Sequence, residues 1–427
     1  MAAAGTSSYE DQLSTAIHEI THALGFTSGN YAYWRDHANS GQPRTSRDSD
    51  GEPTGTVSLF GQSTTAPATT TLNSFTERGN TVWKLVTPKI LEKARAQFGC
   101  STLNGAEIEN QGGSGTAGSH WEKRLFMNDF MSGVSAGLRP AYTPMTFALL
   151  EDSGWYYVNW GSSNIEEASW LKDVGCTAVT DKCLTAGSSD PPAVVSGGTG
   201  FFCNTAGVTG CTVDRSAGGY CSISTWGSNL DTAYQYFTAA TKGGGTEVAD
   251  FCPYMAAYSN QKCINTGNSA SGRLDIYSAT SKCFESTVGG YSSEAAACYQ
   301  YSCSSSGVLS ITVGTSGSTT TVTCSTGGQQ LTVSNGYVKC PADLTTICAV
   351  ATSAPTTAPT TAPTPLPTTA PTAAAPTAAA TTSTSSSSTA TNQVVIVTQL
   401  EGVTAASWDS ATESSFKTTV SAATHRM

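Results

Sequence analysis

Apolar residues Leu13, Ile17, Ile20 and Leu24 recur at spacings of 4, 3 and 4, an apolar stripe at helical period. The stripe predicts a helix over residues 9–25, with Gly25 where a left-handed residue ends helices. A second helix is predicted over residues 87–99, with Thr87 as N-cap and Pro88 at N1. Ile90, Leu91, Ala94 and Phe98 form its apolar face and Gly99 its stop. Residues 144–155 read as a third helix that stops at Gly154. Residues 27–75 carry neither helical nor strand period and read as loop. Beyond residue 156 only short strand-like runs appear, such as 308–313 and 319–324, with glycine turns between.

The tail differs in kind. Residues 351–393 are Ala-Pro-Thr repeats followed by Thr and Ser, with no apolar payload to form a core. They predict an extended polyproline-II stalk open to O-glycosylation. Residues 394–427 read as one strand (394–400) and one helix (407–423), too little for an independent fold and hence the start of a further domain.

The polar positions of the first helix carry chemistry. His18 and His22 are four apart, so both imidazoles lie on one face and can reach a single ion. Glu19, one step round the helix, can reach a water on that ion without being a ligand. This is the H-E-x-x-H arrangement of zinc peptidases, in which zinc activates a water and the glutamate takes its proton.

A hydrolytic zinc site needs a third protein ligand and an open fourth position. The compact form of the motif would put that ligand at position 28, which is Ser28. The ligand must then come from elsewhere. His120 is the leading candidate, at the end of a glycine-rich approach and beside Trp121. His37 comes second, and a carboxylate such as Glu107 or Glu109 third. Met131, before Ser132-Gly133, sits in a tight turn after His120. Asp48-Ser-Asp50-Gly51 lacks the ligand series of a calcium loop and reads as a solvated turn.

Composition narrows the setting. A net charge of −10 without a basic stripe argues against a nucleic-acid partner. No apolar run is long enough for a transmembrane segment. There are 14 cysteines, 13 of them between Cys176 and Cys348, and no C-x-x-C pair. That pattern predicts a disulfide framework and an extracellular or cell-surface location rather than zinc ribbons. Cys100 is expected to pair with a cysteine of the later cluster, the alternative being a reactive thiol. No signal peptide follows Met1, so an upstream segment is expected to be missing from this chain.

The motifs then combine. His18-Glu19-x-x-His22-Ala-Leu-Gly25-Phe26, Glu109-Asn-Gln-Gly-Gly, Gly118-Ser-His120-Trp-Glu-Lys-Arg124, the turn at Met131 and Ala148-Leu-Leu-Glu-Asp-Ser-Gly-Trp155 together resemble the leishmanolysin/invadolysin metallopeptidases. The likeness continues through Gly200-Phe-Phe-Cys203, Asp250-Phe-Cys252-Pro-Tyr254 and Gly336-Tyr-Val-Lys-Cys340-Pro341. The resemblance implies an α+β metzincin fold with a long insertion before the third histidine. It implies one Zn2+ held by His18, His22 and His120, with Glu19 as general base and Met131 as the Met-turn residue. It also implies protein or peptide substrates and an N-terminal subdomain ahead of the first helix, which is expected to be missing from this chain. The expected division is a catalytic region over 1–155, incomplete at its N-terminus, and a disulfide-rich, mostly β or irregular subdomain over 156–350. The stalk follows over 351–393 and the truncated domain over 394–427. The rival reading is a non-catalytic adhesion or binding module on a protease scaffold.

Overall fold

The computed structural model describes residues 9–348 except 135–137, 186–189 and 316. The expected stalk and the strand and helix after it lie outside the described residues.

The apolar stripe forms helix α1 (Tyr9–Leu24). Ile17 is buried, while Leu13 and Leu24 pack against the main core from partly exposed positions. Gly25 stops the helix at φ +133°, and Phe26 N–H closes the end on Thr21 O (3.2 Å). A β-carbon on Gly25 would lie 2.7 Å from the Trp155 ring, so packing as well as backbone conformation requires glycine. Helix α2 (Pro88–Phe98) buries Ile90, Ala94 and Phe98 as expected and ends on Gly99 at φ +62°.

Thr87 is the N-cap of α2 and Pro88 its N1 residue, as expected. The Thr87 side chain makes no capping hydrogen bond. The free Ile90 N–H instead donates to Asp152 Oδ2 (2.8 Å), at the end of helix α4 (Pro144–Asp152), which follows the single-turn helix α3 (Lys123–Phe126). A carboxylate at a helix N-terminus serves both the orphan amide and the dipole. α4 also stops as expected, with Gly154 at φ +77°.

Residues 27–75 are not all loop. Thr56–Leu59 and Gln62–Thr65 form a hairpin. Leu72–Glu77 begins a three-stranded antiparallel sheet with Asn80–Leu85 and Ala106–Ile108. Both hairpins turn on two residues of positive φ, Phe60-Gly61 and Arg78-Gly79, the geometry that matches strand twist. Their strands are rich in Thr, Ser and Gln, which hid the period-two pattern.

The cysteine-rich part is more regular than expected. Its strands Ser318–Cys324, Leu309–Thr315, Ala295–Cys303, Ser281–Ser286, Gly336–Lys339 and Gln330–Val333 form one antiparallel sheet in that spatial order. It covers its own core around Phe284, Tyr299, Ile311 and Val338. A second, three-stranded sheet pairs Thr209–Cys211, Ala217–Cys221 and Met255–Lys262. Disulfides Cys211–Cys283 and Cys263–Cys298 tie elements of the two sheets together.

All 14 cysteines are paired, in seven disulfides. Cys100 bonds Cys176, as expected, and so fastens the end of α2 to the later chain. The fold class is α+β. The main core runs from Ile17 past residue 155 to Tyr254. Among the described residues no helix is long and apolar enough to cross a membrane.

Candidate metal centre

α1 presents His18 and His22 from one face. The third imidazole arrives along a short ladder. Ile108, at the end of the three-stranded sheet, bridges to Trp121, and Trp121 bridges in turn to Ser132. This path sets His120 opposite α1 and ties its stretch to the turn at Met131, with Trp121 N–H donating to Met131 O (3.1 Å).

The three Nε2 atoms converge. His18 and His120 are 3.0 Å apart, His18 and His22 3.1 Å, and His22 and His120 3.2 Å. Each Nδ1 meets a backbone carbonyl: His18 on Phe130 O (2.6 Å), His22 on Phe26 O (2.8 Å) and His120 on Thr116 O (2.8 Å). A carbonyl oxygen only accepts, so each ring carries its proton on Nδ1. Each Nε2 therefore turns a lone pair toward a common point.

Three lone pairs so close repel unless a cation lies between them. Tetrahedral coordination at about 2.05 Å per nitrogen would space the nitrogens by about 3.3 Å, close to what is found. The donor set fits one metal ion with a fourth position open. Burial pushes His120 down to about 3, with the neighbouring His22 adding to the effect, and burial also lowers His22. Both rings are therefore neutral and metal-competent at neutral pH. Glu19 is exposed, between the two α1 histidines in sequence.

The turn at Met131 is tight. Met131 is fully buried. A β-carbon on Gly133, two residues on, would lie 2.3 Å from Thr116 Cγ2 and 3.4 Å from the His120 ring. The turn after Met131 thus passes against the third histidine, and only glycine leaves it room.

The other third-ligand candidates lie elsewhere. His37 stacks on Tyr157 (4.4 Å between ring centroids), and its Nε2 contacts Tyr156 O at 3.1 Å. Glu109 accepts from the backbone N–H of Gln111 (2.9 Å) and Lys123 (3.3 Å). Glu107 lies in a buried charge cluster with Glu122, Asp250, Arg78 and Arg124. Burial would raise its pKa, but Arg78, Arg124 and Lys84 outweigh that and hold its carboxyl below the usual range. Asp250 Oδ2 faces Arg78 Nη2 (3.3 Å) and Arg124 Nε (3.4 Å), so guanidinium groups already supply positive charge there.

Sequence reasoning missed the three carbonyls that orient the imidazoles. Backbone acceptors leave no residue-type signature. Only the helix stop at Gly25, which returns Phe26 O to His22, had a readable cue.

The leishmanolysin family model matches residues 59–353, a span that includes His120 and Met131. The chain belongs to the leishmanolysin family. That is a metallopeptidase family, and relatives agree with the assignment. A leishmanolysin-like peptidase of Caenorhabditis elegans is 34% identical over 65% of this chain and 46% of its own length. One from Drosophila melanogaster is 30% identical over 76% of this chain and 53% of its own. Leishmanolysin of Leishmania major is 29% identical over 79% of this chain and 52% of its own. The chain spans about half the length of the curated relatives it matches.

Proposed function

We propose that this leishmanolysin-family chain carries the metal centre of a zinc-dependent endopeptidase, in a metzincin-type catalytic region. The observation that carries the reading is the convergence of three Nε2 lone pairs with every Nδ1 hydrogen-bonded to a carbonyl. In this reading His18, His22 and His120 hold the ion and Met131 forms its apolar floor. Zinc is favoured because an all-imidazole, open tetrahedral set suits it.

Bound zinc would lower the pKa of a coordinated water toward about 7 and polarise a substrate carbonyl. The chain's own residues do the rest. The Glu19 carboxylate accepts the proton of the attacking water and returns it to the leaving amine. The carbonyls of Phe130, Phe26 and Thr116 keep each imidazole in the tautomer that leaves Nε2 free. The buried setting of His120 excludes protons that would compete with the metal.

We also propose that the protein works in a secreted or cell-surface setting, which the seven disulfides support. Residues 1–155 would form the catalytic region and 156–350 a disulfide-rich subdomain. Protein or peptide chains are the proposed substrates, and cell-surface association is part of the same proposal. The test is metal analysis of purified protein with cleavage of a denatured protein substrate. About one zinc per chain, with activity lost on chelation and restored by zinc, is expected. Cleavage that persists in metal-free protein would refute the reading.

A further inference from the structure

Between the methionine turn and the start of α4 lies a buried carboxylate that the site itself does not use. Asp129 is 3% exposed and takes three hydrogen bonds, all from neutral donors. Its Oδ1 accepts from Met131 N–H (2.8 Å) and from the Thr146 hydroxyl (2.9 Å). Its Oδ2 accepts from the Thr143 hydroxyl. Thr143 is also the N-cap of α4, and its oxygen accepts from Met145 N–H (3.2 Å).

Two paths lead from this carboxylate to the metal ligands. The first runs through the turn. Asp129 fixes Met131 N–H, and the residue between them, Phe130, offers its carbonyl to His18 Nδ1 at 2.6 Å. The second runs through a side-chain relay. Trp121 Nε1–H donates to Thr146 Oγ1 (2.9 Å), whose own proton goes to Asp129. Trp121 is the residue after His120, and its backbone N–H holds Met131 O. One carboxylate therefore ties a ligand from α1, a ligand from the downstream loop and the methionine turn to the start of α4.

A buried carboxylate with only neutral partners is costly, and packing alone would be served better by an apolar side chain. What the position demands is an acceptor for three converging donors, which a carboxylate supplies and a carboxamide does not. We infer that Asp129 is a positioning residue that orients His18 and His120 for metal binding. The inference rests on the three-histidine reading of the metal centre.

The test is zinc affinity of the purified protein, by competition with a chromophoric chelator, together with the visible spectrum of the cobalt-substituted protein. Asp129→Asn is expected to weaken zinc binding about 10–100-fold, as outer-shell changes do, and to shift the cobalt bands. Thr146→Val cuts only the relay to Trp121 and should do the same to a smaller extent. It carries the test if Asp129→Asn does not fold. Leu149→Ala, a buried change on the same helix, should lower stability and leave both readouts as in wild type. Wild-type affinity and an unshifted spectrum in the folded Asp129→Asn or Thr146→Val protein would overturn the inference alone. So would a loss no greater than that of an equally destabilised Leu149→Ala. Failure of the wild-type protein itself to bind metal would overturn the metal-centre reading, and this inference with it.

Discussion

His18 and His120 are 102 positions apart in the chain, yet their Nε2 atoms lie 3.0 Å from one another. Neither ring is placed by its neighbour. His18 is held by Phe130 O and His120 by Thr116 O, so the closeness is set by separate backbone anchors. Two lone pairs held face to face in this way make sense as halves of a metal site.

The choice of third ligand is directly testable. His120→Ala should lower zinc affinity by well over the roughly 10–100-fold typical of outer-shell changes. His37→Ala should leave it at the wild-type value, because that ring is occupied by Tyr157 and Tyr156 O. Zinc content after gel filtration checks both. Zinc lost from His37→Ala and kept by His120→Ala would reverse the assignment.

Acid should destabilise the metal-free protein through the same rings. Burial pushes His120 down to about 3 and lowers His22 as well. In the unfolded chain both would protonate near about pH 6.5. Below that pH the unfolded state binds more protons than the folded one, so this contribution is intact above about 6.5 and is lost as pH falls toward about 3. Thermal unfolding of zinc-stripped protein from about pH 8 to pH 4 should show Tm falling through this window, and less steeply in His120→Gln. Equal slopes in the two proteins would contradict the assignment of this acid sensitivity to His120.

The Cys100–Cys176 bridge closes a sequence separation of 76 and joins the end of α2 to the chain beyond residue 155. Replacing both cysteines with serine should cost about 2–5 kcal/mol, chiefly by freeing the unfolded chain. Denaturant titration under oxidising conditions measures it. Unchanged stability would mean that the core alone fixes that junction.

Local features of the fold were legible in sequence and distant partnerships were not. The stripe Leu13, Ile17, Ile20, Leu24 and the stop at Gly25 correctly framed α1, because period and termination are properties of adjacent residues. Thr87 and Pro88 marked the start of α2, but the carboxylate that serves its free amide, Asp152, lies 62 positions from Ile90 and left no local signal. The strands flanking Arg78-Gly79 escaped notice because Lys84 and Glu77, charged residues that pair with each other in the interior, break the apolar–polar alternation. At the site, the histidine spacing on α1 was readable at once. The role offered to His120 rested on its local context, the glycine-rich approach and Trp121, and the combination of several motifs added to it. Asp129 gave no signal at all, because its meaning comes only from the three donors the fold delivers to it.

The most direct test of the central claim is Glu19→Gln, with zinc content and cleavage of a denatured protein measured on the same sample. Glu19 is the proposed base and not a ligand, so the account predicts about one zinc per chain and a rate reduced by roughly 10²–10⁴. Cleavage at the wild-type rate with zinc in place would contradict the account.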